Sequence, residues 1–197
     1  MPGGRPRAFD IDEALDRAVN VFWRQGYEGT VLSDLTEAMG INRPSLYATF
    51  GNKDALFRKV LDRYIEGPGA YAARALDLPT AREVVEALVY GAINLTAGPN
   101  TPRGCLNVRS VQACGPDGDL ARREAQARRA AAETQLVRRL GRARTEGDLP
   151  AGADPADLAR YVLTVTDGIA VQAAAGASRA KLHRIADLAL LAWPTST

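Results

Sequence analysis

The sequence predicts an all-α protein, and three observations carry the prediction. Apolar residues recur every three or four positions along most of the 197 residues, which is the spacing of an amphipathic helix. No run of four to eight residues combines strict apolar–polar alternation with the β-branched enrichment of a strand. Helix-breaking pairs separate the periodic segments, namely Gly67-Pro68, Gly98-Pro99 and Gly115-Pro116.

Four helices are predicted in residues 1–66, each between a polar N-cap and a glycine at which the helix ends. The predicted N-caps are, in chain order, Asp10, Thr30, Asn42 and Asn52. The predicted terminating glycines are Gly26, in the left-handed conformation, then Gly40, Gly51 and Gly67. Pro44 falls in the first turn of the third helix, where its missing N–H leaves no hydrogen bond unmade.

Longer helices are predicted after the break at Gly67-Pro68. They span residues 80–97, 103–114, 118–146, 154–176 and 178–192. Because short helices give way to long ones at this break, we predict two domains, residues 1–66 and residues 67–197.

The composition excludes several classes of protein. Apolar residues make up 46% and charged residues 24% of the chain, which is typical of a globular protein. No apolar run reaches the roughly 18–20 residues of a membrane span, and no export signal precedes the first helix, so we expect a cytoplasmic protein. One histidine and two cysteines disfavour metal sites and His-dependent catalysis, so we expect no metal, no cofactor and no enzymatic activity.

The net charge of +2 is unevenly distributed along the chain. Residues 1–66 carry nine basic and ten acidic side chains, whereas residues 121–144 carry eight arginines and two glutamates. This arginine-rich stretch leaves three hypotheses open: a solvated helix face, a surface that contacts phosphates, or a site for an anionic effector or an acidic partner.

Two short helices joined by Gly40-Ile41 and flanked by longer ones form a helix-turn-helix unit. In such a unit the second helix enters the major groove of DNA. Leu46 and Phe50 are four residues apart and are expected to face the core. The opposite face presents Arg43, Pro44, Tyr47 and Ala48, with Ser45 and Thr49 at its edges. A second hypothesis remains open, that the chain is a helical interaction protein that does not use DNA.

The same segment resembles a known family closely. The residues that carry the resemblance are Gly26-Tyr27-Glu28-Gly29-Thr30, Leu35, Met39-Gly40-Ile41, Ser45-Leu46-Tyr47, Phe50 and Lys53-Asp54-Ala55-Leu56-Phe57. Over residues 9–57 their spacing is similar to that of the tetracycline-repressor (TetR) family of bacterial regulators. A second segment, Pro102-Arg103-Gly104-Cys105-Leu106, looks like one that recurs in the ligand domains of a subset of these regulators.

The resemblance implies a three-helix, helix-turn-helix DNA-binding domain at the N-terminus. The residues that it assigns to the DNA interface are Thr30, Asn42, Arg43, Pro44, Ser45, Tyr47, Thr49 and Lys53, with Arg5 and Arg7 in an arm before the first helix. Tyr47 and Lys53 match residues that contact backbone phosphates, and Arg43 and Ser45 lie where base edges or phosphates are contacted. The family often carries a small residue or glycine where this chain has Arg43-Pro44-Ser45, so the operator sequence cannot be deduced.

The resemblance also implies a C-terminal helical domain that binds a ligand and forms a homodimer. We expect a repressor that a small, largely apolar effector releases from double-stranded operator DNA. The residues expected around the effector are Tyr64, Tyr71, Tyr90, Asn94, Cys105, Asn107 and Gln112. The residues expected at the dimer interface are Gly168, Val171, Ala175 and His183, because small side chains let helices approach closely.

Two further expectations concern signalling. Cys105 and Cys114 could make the regulator redox-responsive, the alternative being that both are buried structural cysteines. The fourth helix begins at Lys53, on the DNA side, and ends near Tyr64, beside the second domain. We therefore expect this helix to be the only element that joins the two sites directly.

Overall fold

The computed structural model describes residues 9–112, 115 and 118–194, and these residues form ten α-helices and no strand. The helices are α1 (Ile11–Gly29), α2 (Leu32–Met39), α3 (Arg43–Phe50), α4 (Lys53–Glu66), α5 (Ala70–Ala75), α6 (Ala81–Ala97), α7 (Leu106–Val111), α8 (Asp119–Thr145), α9 (Pro155–Ala174) and α10 (Arg179–Leu191). The all-α prediction is confirmed.

Three of the four predicted N-caps are confirmed. The Asp10 side chain accepts hydrogen bonds from the first turn of α1. The Asn42 and Asn52 side chains accept from the backbone N–H groups of Ser45, at 2.9 Å, and Ala55, at 2.8 Å. Each bond satisfies a donor that the helix itself leaves without a partner, so the polar residue fixes where the helix begins.

The predicted role of Thr30 as the N-cap of α2 is wrong. Its side chain is fully buried, and its hydroxyl donates to the carbonyl oxygen of Gly26 at 2.6 Å. Val31 is the N-cap instead, without a side-chain hydrogen bond. The reason lies at Gly26, where φ is 74° and ψ is 175°, which breaks α1 for one residue before a last turn continues to Gly29. Thr30 satisfies the carbonyl that this break leaves free.

Two elements of the second half differ from the prediction. The short helix α5 was not expected, and the helix predicted over residues 103–114 is reduced to α7. Gly104 has a φ of 89°, which no helix accommodates, and its N–H donates to Thr96 at the end of α6. The chain therefore turns sharply at Gly104 before α7 begins.

The buried residues form two hydrophobic clusters. The first is centred on aromatic side chains of α1 and α4, among them Phe22 and Phe57, and it also contains Leu106 of α7 and Ala121 of α8. The second joins α6, α8, α9 and α10. Because α7 and α8 contribute to the first cluster, the predicted boundary after residue 66 stays a prediction.

The arginine-rich stretch of α8 ties this helix to the rest of the protein. Arg128 bonds to Asp62 of α4 at 2.7 Å, and Arg129 is paired with Asp167 of α9. Arg139 is buried and donates to three backbone carbonyl oxygens at the end of α5. For these three residues the solvated-face hypothesis is wrong, since each arginine spans the gap between two elements.

The packing of α5 on α6 can be tested at Gly91 of α6, with Gly141 of α8 as the comparison. A Cβ at Gly91 would overlap the Tyr71 ring, whereas a Cβ at Gly141 of α8 would meet nothing within 4 Å. We expect Gly141→Ala to stabilise the protein by up to about 1 kcal/mol through helix propensity. Gly91→Ala should destabilise it by up to about 2 kcal/mol, because overpacking outweighs the same gain.

Urea unfolding at one fixed protein concentration measures both changes. In a Tyr71→Ala background the Gly91→Ala change should become stabilising, since the ring that it overlaps is gone. A Gly91→Ala variant as stable as Gly141→Ala in the wild-type background would contradict this packing.

Candidate functional site

The turn between α2 and α3 sets the angle of the helix-turn-helix unit. Gly40 adopts the left-handed conformation with φ 67° and ψ 31°, and the N–H groups of Gly40 and Ile41 donate to the last carbonyls of α2. Leu46 and Phe50 of α3 are buried, as predicted. The buried side chains fix the rotation of α3 about its axis, so its outer face is determined.

The outer face of α3 carries side chains that point to solvent. Tyr47 is 48% exposed although it is a large aromatic residue, and Arg43, Pro44 and Ala48 are exposed beside it. Within the part of the chain that the structure describes, Arg43 makes no hydrogen bond or ion pair. Ser45 and Thr49 are half-buried at the edges of this face, and the Asn42 oxygen is engaged as the N-cap. The face thus combines a cation, a hydroxyl and apolar surface.

Lys53 stands at the N-terminus of α4, next to α3. Its ammonium lies 4.3 Å from the centroid of the Tyr27 ring, a cation–π contact, and the Tyr27 hydroxyl donates to Asp54. Tyr27 thus orients the first turn of α4 through two contacts. An ammonium beside the free N–H groups of a helix N-terminus forms an anion-binding position.

The last two turns of α1 also contact the second half of the chain. The indole N–H of Trp23 donates to the buried carbonyl oxygen of Gly104 at 2.7 Å. Arg109 of α7 donates to the carbonyl oxygen of Arg24 at 2.5 Å, and its side chain covers Gly26. The expectation that α4 is the only element that joins the DNA-binding site to the effector site is therefore wrong, because α7 bonds directly to α1.

Four of the predicted effector residues lie around the junction of α4 and α7. The Tyr64 hydroxyl donates to Cys105 Sγ at 3.3 Å, and the Tyr64 ring packs edge-on against Trp23. Burial raises the pKa of the Tyr64 hydroxyl, the Tyr71 hydroxyl and the Cys105 thiol, so all three are neutral at physiological pH. The side-chain oxygen of Asn107 is buried without a hydrogen bond. We call Tyr64, Tyr71, Cys105 and Asn107 the effector core.

Two charged residues that were not predicted as part of the site form an ion pair between α8 and α9. Asp167 of α9 is paired with Arg129, and burial raises the pKa of its carboxyl despite that pairing. The charge of Asp167 also contributes to the raised pKa of Tyr71 and Cys105. A carboxylate within the mostly apolar second half of α9 was the available signal, since such groups are buried only when they are paired.

The other three predicted effector residues are not brought to this core. The Tyr90 hydroxyl donates to Asp187 of α10 and its ring stacks on His183, while the Asn94 side chain accepts from Arg179. Tyr90 and Asn94 therefore join α6 to α10. Gln112 is exposed at the C-terminal end of α7.

Several apolar side chains of α9 and α10 are exposed. Gly168, Val171 and Ala175 of α9 are exposed, as the dimer prediction requires, whereas the His183 ring packs on Tyr90. The large apolar side chains exposed on these two helices are Val171, Ile185, Leu188 and Leu191. We call the exposed residues of α9 and α10 the terminal face.

Three predicted residues, Arg5, Arg7 and Cys114, lie outside the described residues. Among the helices that are described, none is both long enough and apolar enough to cross a membrane.

Comparisons with known proteins agree with this architecture. The family model described as bacterial regulatory proteins, tetR family, matches residues 14–60. The model described as tetracyclin repressor-like, C-terminal domain, matches residues 81–189. Together the two models cover both halves of the chain.

Full-length relatives show the same similarity. The chain is 39% identical over 194 residues to the HTH-type transcriptional repressor ComR of Escherichia coli (strain K12), which covers 97% of this chain and 92% of that protein. It is 34% identical over 163 residues to the HTH-type transcriptional regulator YezE of Bacillus subtilis (strain 168), covering 81% and 83% of the two chains.

A solved structure is similar over almost the whole chain. It is a cysteine mutant of the TetR family transcriptional regulator CifR in complex with a 26-base-pair operator DNA. The TM-score is 0.91 at 42% identity, and the match covers 96% of this chain and 100% of that one. The chain described here therefore belongs to the tetR family of bacterial regulatory proteins and is a helix-turn-helix transcriptional regulator rather than an enzyme.

Proposed function

We propose that this protein is a repressor that binds operator DNA as a homodimer and is released from it by a small, largely apolar effector. The observation that carries the proposal is the exposed outer face of α3 beside the N-terminus of α4. Two classes of DNA contact, to base edges and to phosphates, are available there within one continuous surface.

The residues of this surface take different roles. Arg43 is placed to donate to a guanine, Pro44 offers apolar surface to a thymine methyl, and the hydroxyl of Ser45 is available to a base edge or a phosphate. Tyr47 and Lys53 contact phosphates on either side of these base contacts. Tyr27 keeps the Lys53 ammonium in position. Thr30 is left out of this interface, because its side chain is buried and its hydroxyl is engaged.

The remaining predicted contacts are secondary in this arrangement. The Asn42 amide N–H₂ can donate to a phosphate while its oxygen caps α3, and Thr49 lies at the edge of the surface. Arg5 and Arg7 would extend the contact along the duplex in the N-terminal arm. The DNA-binding domain would comprise residues 1–66 and the regulatory domain residues 67–197. A bacterial repressor of this kind acts in the cytoplasm, where the chromosome lies.

The terminal face is the surface on which two copies would pair. Its exposed isoleucine, valine and leucine side chains are large and adjacent, and a second copy would remove them from water. A two-fold dimer presents two copies of α3 to half-sites one turn of DNA apart, about 34 Å. Dimerisation therefore explains the exposed apolar side chains and also matches the symmetry of an operator.

The effector core is the position at which a ligand would act. An effector that enters between α4 and α7 replaces the Tyr64–Cys105 contact, and a donor group on it would satisfy the Asn107 oxygen. Both flanking elements bond to α1, so displacement of α7 pulls on the carbonyl of Arg24 and on the Trp23 indole. The redox alternative has less support, because burial raises the pKa of the Cys105 thiol and lowers the fraction of reactive thiolate.

The phosphate role of Lys53 predicts a salt-dependent effect. Lys53→Gln should weaken binding to every duplex by a similar factor and lower the magnitude of the salt slope by about 1, because one counterion fewer is released. Fluorescence anisotropy with operator fragments over a range of salt concentrations measures both quantities. Arg74→Gln, which removes the same charge from α5, is the control and should leave the slope unchanged. An unchanged slope in Lys53→Gln would remove this residue from the interface.

A base-reading role for Arg43 predicts a loss of specificity. Arg43→Ala should cost about 1–3 kcal/mol of operator binding and relax the preference at one base pair in each half-site. Selection of bound fragments from a random DNA pool, with wild-type protein in parallel, gives the preference at every position. If affinity falls equally for all sequences and every preference is kept, Arg43 contacts a phosphate instead.

Dimerisation through the terminal face can be separated from folding with two glycines. A Cβ at Gly168 or at Gly141 meets nothing within 4 Å inside one protomer, so both positions accept the first atom of a side chain without a clash. Gly168→Glu should produce monomers with unchanged helicity, because it places a charge in the interface, whereas Gly141→Glu should remain dimeric. Sedimentation velocity distinguishes these results. A dimeric Gly168→Glu protein would place the interface elsewhere.

The contact between α7 and α1 predicts an indirect effect on DNA binding. Arg109→Met removes the hydrogen bond to Arg24 but keeps an alkyl chain over Gly26. We expect operator affinity to fall about 5–20-fold, within the range of ordinary couplings, with the salt slope unchanged, because no phosphate contact is lost. Arg82→Met, which breaks a comparable bond from an arginine of α6 to a backbone carbonyl of α10, is the control. A slope lowered by about 1 in Arg109→Met would mean that Arg109 contacts DNA itself.

A further inference from the structure

A cavity of about 460 Å³ opens between α5 and the C-terminal half of α8. None of its residues belongs to the helix-turn-helix unit, the effector core or the terminal face. The residues that line it are Ala73, Leu76, Asp77, Gln135, Arg138, Arg139 and Arg142. Three guanidinium groups and one carboxylate therefore face the same small volume, and the net charge of these side chains is positive.

The two exposed arginines of this cavity, Arg138 and Arg142, differ from their neighbours on α8 in having no carboxylate at ordinary hydrogen-bond distance among the described residues. Arg122, Arg128 and Arg129 are each paired with a carboxylate. Arg138, by contrast, has no hydrogen bond or ion pair among the described residues. The ion pair of Arg142 is a long one, 3.8 Å to an exposed glutamate one turn further along.

Arg139 adds a second, independent observation. Its side chain is only 5% exposed, and its Nε and Nη2 atoms donate to backbone carbonyls at 3.0, 2.8 and 2.9 Å. Its Nη1 atom is buried and has no acceptor. Buried nitrogen donors are satisfied in the great majority of cases, so Arg139 keeps an unsatisfied, positively charged N–H group behind the wall of this cavity.

The spacing of the two exposed arginines suits an oxyanion. Arg138 and Arg142 are four residues apart on α8, so they lie on one face of the helix with Cβ atoms about 5–6 Å apart. Two like charges at this spacing repel each other, and an anion between them removes the repulsion. Each guanidinium can offer a pair of parallel N–H groups to a phosphate or a carboxylate.

We infer that this cavity is a binding site for a small molecule with at least two anionic oxygen groups, phosphate or carboxylate. Arg138 and Arg142 hold the anionic groups at the opening, and the buried Arg139 adds a third positive charge behind the inner wall. Ala73 and Leu76 provide apolar contact for a carbon skeleton. The volume fits a metabolite-sized molecule and not a macromolecule. The site is separate from the one proposed for the apolar effector.

Two substitutions in this cavity should change the affinity for the anion in opposite directions. Arg138→Gln/Arg142→Gln should lower the affinity for such an anion at least tenfold, because both exposed cations are lost. Asp77→Asn should raise it severalfold, because the one carboxylate in the lining no longer repels the ligand. A gain in affinity cannot come from misfolding, so this variant keeps the inference testable even if the double variant is unstable.

Isothermal titration calorimetry of the full-length protein with pyrophosphate, and separately with citrate, tests the site at an ionic strength held constant with sodium chloride. The matched control is Arg24→Gln/Arg123→Gln, which removes two exposed arginines outside the cavity. We expect saturable binding of one anion per chain that this control retains. Binding of pyrophosphate alone identifies a phosphate site, of citrate alone a carboxylate site, and of both a general oxyanion site. Absence of saturable binding, an equal loss in the two double variants, or no gain in Asp77→Asn would overturn the inference.

Discussion

The indole N–H of Trp23 donates to the carbonyl oxygen of Gly104 in the buried contact between α1 and α7. A buried carbonyl without a donor is costly, so this bond fixes the sharp turn before α7 to the last turns of α1. Tyr27, one turn further along α1, bonds to the first turn of α4 and supports the Lys53 ammonium. The end of α1 thus positions both Lys53, the proposed phosphate contact, and the chain that enters α7 beside the effector core.

This arrangement gives a physical basis for regulation. A ligand changes operator affinity only by as much as its own affinity differs between two arrangements of the protein, and operator DNA must change ligand affinity by the same factor. Tyr64 is bonded to Cys105 in the structure, and the proposed effector would separate the two. Because α7 and α4 both contact α1, separating them changes how α1 holds the helix-turn-helix unit. The break at Gly26, held by Thr30 and covered by Arg109, is the point at which such a change would be absorbed.

The features that depend on residues close together in the sequence were mostly predicted correctly. The features that depend on contacts between distant residues were mostly not. Asn42 and Asn52 are correct N-caps because capping is local, and Leu46 and Phe50 are buried because helical spacing determines their face. Arg139 was misjudged because its acceptors are carbonyls 60 to 63 residues earlier in the chain. Thr30 is a local exception, since the break at Gly26, four residues before it, engages its hydroxyl. The prediction of the effector residues was only partly correct because it too depends on distant residues. Tyr90 and Asn94 were correctly placed on a helix, but α10 covers that face of α6. No local pattern reveals which helix covers which face.

We expect the contact between α1 and α7 to set the separation of the two helix-turn-helix units in the dimer. Pulsed electron–electron double resonance measures this separation directly. Each chain carries one spin label at Glu37→Cys, on the exposed side of α2, in a Cys105→Ser/Cys114→Ser background. We expect a narrow distance distribution without DNA, a clearly broader one when Trp23→Phe removes the bond to Gly104, and a narrow one again when operator DNA binds. Distributions of equal width with and without the Trp23 bond would show that this contact does not set the separation.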